Sequence, residues 1–269
     1  MKTEELTAEI RLKQSFLCVG LDVDLDKVPK HILDEEDPIF AFNKAIIDAT
    51  HKYAVSFKLN TAFYEAYGLA GWKSLERSIN YINENYPEIF TIADAKRGDI
   101  GNTSTRYAEA FLRTLNFDSI TVAPYMGKDS VEPFLAFEDK HTILLAYTSN
   151  KGALDFQNLE VDGQALHLKV IETSKTWENS QNLMYVVGAT KAEALRPIRN
   201  LVPNSFLLVP GVGAQGGDLG AVCENAMTDE VGILINSSRG IIYASQGEDF
   251  AQAAKAEAKK LQQEMKNFL

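Results

Sequence analysis

The sequence predicts an α/β protein of the (β/α)8-barrel class, a single domain over residues 1–269. Three observations carry that expectation. Short apolar, β-branched runs alternate with longer stretches of helical character, the pattern of parallel strands joined by crossovers. The 269 residues suit one barrel of roughly 250 residues better than two small domains. Unusual polar residues collect where strands end, instead of scattering over both ends and every helix.

The strands are expected at Phe16–Leu21, Ala54–Leu59, Phe90–Ala95, Ser119–Val122, Thr142–Tyr147, Leu183–Val187, Phe206–Val209 and Gly232–Ile235. Between the first two, Asp37-Pro38 reads as a helix cap followed by proline at the first helical position. The stretch Asn150–Asn182 is longer than a simple connection and is expected to hold an excursion plus a helix. From Glu248 onward Ala, Lys, Glu and Gln dominate, which favours a terminal helix.

Composition narrows the function. A net charge of -10 argues against a dedicated nucleic-acid binder. The segment MKTEELTAEIRLKQ lacks the apolar core of a signal peptide, and no apolar run reaches the roughly 18 residues that span a bilayer. Cys18 and Cys223 lie far apart and form no C-x-x-C pair, as expected of buried thiols in a reducing cytoplasm. His31, His51, His141 and His167 show no zinc spacing, and no histidine-built zinc site is expected.

Barrels carry their chemistry at the C-terminal ends of strands. There stand Asp22, Lys58 and Asn60, Asp94 and Lys96, Ser149, Gly211–Gly217 and Ser237–Arg239. Residues two apart in a strand share a face, so Asp94 and Lys96 are expected to point the same way, with Lys58 ending the adjacent strand. Asp99 follows Gly98 and is expected on a turn. Two acids and two lysines then form an alternating array. Neighbouring carboxylates stabilise an ammonium, which suits a lysine that delivers a proton and not one that must be neutral to attack. A purely structural ion pair is the plainer alternative, but burying such charges is seldom repaid in stability.

Pro210-Gly211-Val212-Gly213-Ala214-Gln215-Gly216-Gly217 follows an apolar strand and precedes a helical stretch, a setting for backbone N–H groups around an anion. Gly211–Gly216 match G-x-G-x-x-G, yet a dinucleotide fold wants that motif at its first strand, and here only one strand remains. Phosphate binding after strands seven and eight fits better, with Arg239 adding a charged contact.

DAKRGDIGNT at 94–103 resembles the D-x-K-x-x-D signature of the orotidine 5′-phosphate decarboxylase family, in its longer-chain branch. LDVD at 21–24, FKLN at 57–60 followed by FYEAYG, TSN at 148–150, PGVGAQGG at 210–217 and SSRG at 237–240 support the resemblance, which covers most of the chain. Related phosphate-binding barrels share the charged motif, so the combination is what selects this family. The resemblance implies a TIM barrel that converts orotidine 5′-phosphate to UMP in de novo pyrimidine biosynthesis, with no metal or organic cofactor. It implies that Asp22 and Lys58 bind ribose hydroxyls, that Asp94 lies beside the substrate carboxylate, and that Lys96 protonates C6. Asp99, Ile100 and Thr103 would complete the site of a second subunit in a homodimer. Ser149 would read the pyrimidine edge. Pro210, Gly211, Gln215 and Arg239 would hold the 5′-phosphate, and Asn60 would belong to the polar network.

Two other readings remain open on sequence. Asp22, Asp24 and Asp94 could ligate magnesium for aldol chemistry on a pentulose phosphate, as in hexulose-phosphate synthases. A catalytically dead nucleotide sensor would have no need of the charged array.

Overall fold

The computed structural model describes residues 1–189, 192–212 and 217–269. Eight strands close a barrel: β1 (Leu17–Gly20), β2 (Ser56–Asn60), β3 (Phe90–Arg97), β4 (Ser119–Val122), β5 (His141–Tyr147), β8 (Leu183–Val187), β9 (Leu207–Pro210) and β10 (Ile233–Ser237). The short strands β6 (Glu160–Val161) and β7 (Gln164–Ala165) pair separately. The barrel order is β1-β10-β9-β8-β5-β4-β3-β2, so sequential barrel strands are neighbours, and the resolved ladders are parallel. Parallel strands covered on both faces read as unbroken apolar runs, and β1, β4, β8 and β10 are buried at every residue.

Contacts divide the chain into two compact units: residues 1–95, 115–117 and 236–269, and residues 96–114 with 118–235.

In the first unit the helix Pro38–Thr50 starts as its sequence demands, with the Asp37 carboxylate accepting from the Phe40 N–H at 3.0 Å and Pro38 opening the helix. Its buried side is Ile39, Phe42, Asn43, Ile46, Ile47 and Thr50, the spacing of one helical face. The helix Gly68–Asn85 follows and buries Gly71, Ser74, Leu75, Ser78, Ile79 and Ile82. Gly71 is there because nothing larger fits: a Cβ at this position would lie 1.9 Å from the carbonyl oxygen of Tyr64. Alanine is the better helix former by about 1 kcal/mol. A backbone clash of that depth outweighs the gain, since overpacking costs about 1–3 kcal/mol. Gly71→Ala should therefore lower the thermal unfolding midpoint by several degrees; an unchanged midpoint would show that the helix simply slides.

The second unit contains the excursion after β5. It consists of a 3-10 turn (Lys151–Asp155), the β6–β7 hairpin, a helix (Leu166–Ser174) and a second 3-10 turn (Ser180–Asn182). The hairpin turns on Asp162 and Gly163, both with positive φ (54° and 76°). Asp-Gly suits such a type I′ turn, and the dipeptide was visible in the sequence.

The same unit buries a cation. Arg199, on the helix Ala192–Leu201, is 7% exposed. Its Nε donates to the Ala226 carbonyl at 2.7 Å, and Nη1 donates to those of Val202 (2.8 Å) and Ser205 (2.7 Å). Nη2 donates to the Gly232 carbonyl at 2.7 Å. Val202 and Ala226 sit at helix C-termini, where backbone carbonyls favour positive charge.

Candidate active site

The first unit assembles a charged cluster around Lys58. This residue lies in the middle of β2, two positions before its end, and its register partner on β3 is Ile92 while Asn60 faces Asp94. The sequence expectation that Lys58 ends its strand is thus corrected: the ladder continues to Asn60, and the long side chain covers the difference. Lys58 is 5% exposed. Its Nζ donates to Asp94 Oδ2 at 2.9 Å and reaches Asp22 Oδ1 at 3.5 Å. Burial works against this ammonium, but the carboxylates of Asp22 and Asp94 overcome it and hold the lysine above its ordinary value of 10.5.

Asp22 follows β1, and the turn carrying it is held by tyrosine hydroxyls that sequence reasoning did not find. The Tyr64 hydroxyl donates to the Leu21 carbonyl at 2.9 Å and receives a bond from Asn43 Nδ2 at 2.9 Å. The Tyr243 hydroxyl donates to the Asp22 carbonyl at 3.0 Å and accepts from the Asp24 N–H at 2.7 Å. Tyr67 accepts from the Leu25 N–H at 3.0 Å. Each acts on backbone from far along the chain, so no local pattern announces it. Gly20, just before, sits where a Cβ would lie 2.8 Å from the Ser238 Cβ.

Asp24 is engaged within its own turn. Its carboxylate takes the Lys27 ammonium at 2.5 Å and the Asp26 N–H at 3.1 Å. Among the described residues no group of three or more His, Cys, Asp or Glu is placed to hold a metal ion. The magnesium set of Asp22, Asp24 and Asp94 is therefore not gathered. Asn60 Oδ1 accepts from the Ala62 N–H at 3.3 Å, a local contact at the start of the helix Ala62–Glu65. Arg239, exposed, opens the short helix Arg239–Ile242 after β10. Cys18 lies buried in β1, its thiol pushed up to about 12 by burial, so it stays protonated.

In the second unit Lys96 departs from the strand geometry expected of it. It belongs to β3, yet its φ is 47° and its side chain is exposed, while its N–H donates to Thr121 Oγ1 at 2.9 Å. That left-handed backbone is uncommon for a residue with a Cβ. Arg97 follows with its guanidinium 5.3 Å from the rings of both Tyr107 and Phe111.

Asp99 lies in the irregular stretch 98–100, as expected, and accepts the Ile100 N–H on Oδ1 at 2.8 Å. Ile100 is 56% exposed, and Thr103 is exposed in the first turn of the helix Gly101–Ala108. Ser149, half-buried after β5, packs on Gly188, where a Cβ would lie 2.7 Å from its own. Gln157 of the excursion braces this segment: its Oε1 accepts from the Thr148 N–H at 2.8 Å and its Nε2 donates to Thr148 Oγ1 at 2.9 Å.

Pro210 ends β9, and Gly211 turns the chain with φ 100°. The Gly217 N–H returns to the Gly211 carbonyl at 3.1 Å, and Asp218 then caps the helix Leu219–Ala226. Gln215 lies outside the described residues, as do Gly213, Ala214 and Gly216.

Comparison with known proteins bears on this arrangement. A family model described as "Orotidine 5'-phosphate decarboxylase / HUMPS family" matches residues 15–256. The orotidine 5′-phosphate decarboxylase of Flavobacterium johnsoniae is 68% identical over 269 residues, covering 100% of this chain and 98% of that one. That of Bacteroides fragilis is 57% identical over 266 residues, covering 98% and 97%. The solved structure of Leishmania donovani OMP decarboxylase matches with TM-score 0.85 at 36% identity, covering 100% of this chain and 99% of that one.

Proposed function

The chain belongs to the orotidine 5′-phosphate decarboxylase / HUMPS family, and from that premise we propose that it converts orotidine 5′-phosphate to UMP and carbon dioxide. One observation favours this over other chemistry on the same barrel: a nearly buried ammonium, Lys58, strung between Asp22 and Asp94. A charged chain of this kind is expensive to keep out of water and suits a reaction whose obstacle is charge.

The C6–carboxylate bond breaks with its electron pair left on C6, and no adjacent carbonyl delocalises that pair. Enzymes remove about 8–23 kcal/mol of barrier, and this reaction calls for the upper part of that range. Lys96 supplies positive charge beside the developing carbanion and then gives it a proton. Asp94 lies next to the departing carboxylate, and its repulsion is relieved as carbon dioxide leaves. Lys58 and Asp22 take the ribose hydroxyls, Lys58 also fixing Asp94. Ser149 reads the pyrimidine edge, while Pro210, Gly211, Gln215 and Arg239 hold the phosphate, far from C6. Contacts there contribute binding energy that is used in reaching the transition state. Asp99, Ile100 and Thr103 serve the site of a second subunit in a homodimer. The exposure of Ile100 and Thr103 in a single chain, with Asp99 half-buried beside them, supports that assignment.

The reading places the enzyme in the cytoplasm and needs neither metal nor organic cofactor. No helix among the described residues is long and apolar enough to cross a membrane. Purified protein mixed with orotidine 5′-phosphate should lose pyrimidine absorbance at the same rate with and without EDTA. Absence of turnover would refute the activity, and inhibition by EDTA would refute the metal-free mechanism.

A further inference from the structure

We propose that Tyr243 is a positioning residue linking the arginine that takes the phosphate to the aspartate of the charged cluster, so that phosphate binding at Arg239 tightens Asp22 and Lys58. The inference rests on the reading just given, with Arg239 on the 5′-phosphate.

The link is continuous within the first unit. Tyr243 ends the short helix that Arg239 begins, and its N–H donates to the Arg239 carbonyl at 3.2 Å. Four residues of one helical turn move as a body, so a shift of Arg239 is passed to the tyrosine. At the other end the phenol uses both its donor and its acceptor capacity. It donates to the Asp22 carbonyl at 3.0 Å and accepts from the Asp24 N–H at 2.7 Å, holding the backbone on both sides of Val23. The ring cannot easily swing away. It stacks on Phe42 at 5.9 Å, and Phe42 stacks on Phe250 at 5.2 Å. From Asp22 the connection runs through its carboxylate to Lys58 and on to Asp94.

Tyr64 and Tyr67 also hold this turn, through the Leu21 carbonyl and the Leu25 N–H. Both belong to the segment after β2. Tyr243 joins the two places where substrate is to be gripped, alongside Ser238, whose Oγ donates to the Gly20 carbonyl at 3.1 Å. The Tyr243 hydroxyl, raised to about 12 by burial, keeps its proton throughout the working range and so keeps donating. Geometry of this sort lets binding energy gained at a remote group be used at the reacting one.

The test is a double-mutant cycle of Tyr243→Phe and Arg239→Ala, read as kcat/KM on orotidine 5′-phosphate. Tyr243→Phe alone should lower kcat/KM by about tenfold, chiefly through kcat, and in the Arg239→Ala background by less than about twofold. A loss of equal size in both backgrounds, or no loss in either, overturns the link. Should the Phe variant fold poorly, wild-type protein answers by amide exchange at Asp24, whose N–H is bonded to the tyrosine. Saturating UMP should slow that exchange more than saturating uridine does, and equal protection overturns the proposal. A wild-type enzyme without turnover refutes the decarboxylase reading itself, a result distinct from either failure of the link.

Discussion

Lys96→Ala is expected to leave the barrel folded and to reduce turnover of orotidine 5′-phosphate by at least about 10³-fold, combining loss of a proton donor with loss of a fixed positive charge. The fold should survive because the side chain is exposed and contributes little to the core. Substitution by glycine sharpens the point. At φ 47° a residue with a Cβ is held in a region that costs it about 1–2 kcal/mol, whereas glycine occupies that region freely. Lys96→Gly should therefore be at least as resistant to urea as Lys96→Ala while being just as inactive. Stability and activity would then pull in opposite directions at a single position. Single-turnover decarboxylation and urea titrations of the three proteins check both halves. Appreciable turnover by either variant would remove Lys96 as the proton donor.

Lys58→Met should be the more damaging change to stability. The wild-type side chains are nearly out of solvent, with relative exposures of 6% for Lys58, 16% for Asp22 and 10% for Asp94. Removing the cation takes from the Asp22 and Asp94 carboxylates the ammonium they share, and breaking a buried pair in this way costs about 3–5 kcal/mol. Turnover should fall as well, by on the order of 10²-fold or more, since Asp94 loses a group that helps to orient it. The pH dependence follows from the direction of the Lys58 shift. Burial alone would lower it, but Asp22 and Asp94 raise it above 10.5, so the folded state binds this proton more tightly than the unfolded state. Its contribution is fully present below about pH 10.5 and is lost only as pH climbs through the raised folded value. The stability gap between wild type and Lys58→Met should thus stay level from pH 7 to 9 and narrow in stronger alkali. A gap that closes near pH 8 would mean that the ammonium is not held as described.

Strand positions were legible because a parallel barrel buries both faces of each strand, and apolar runs such as Leu183–Val187 stand out. The Asp37-Pro38 helix start was legible for an equally local reason. The charged residues could be placed at strand ends, but their geometry could not. Lys58 proved to lie inside its strand, and Lys96 to have left-handed backbone, and neither fact follows from the period of a strand. The tyrosine contacts to residues 21–25 were hidden by distance along the chain: Tyr243 and Asp24 are 219 residues apart. Arg199 reads in sequence as one more surface arginine on a helix, and only the carbonyls that converge on it reveal otherwise.

Arg199 also bears on how the chain must come together as it is made. Its guanidinium is buried, and the bonded carbonyls that satisfy it belong to Val202, Pro203, Ser205, Ala226 and Gly232, all later in the chain. Until Gly232 has emerged from the ribosome, burying the helix that carries Arg199 leaves Nη2 without the carbonyl it donates to. The full set of carbonyls is therefore complete only at the threshold of β10, which begins at Ile233. Nascent chains that stop short of Gly232 lack one of the carbonyls that hold this buried guanidinium in place.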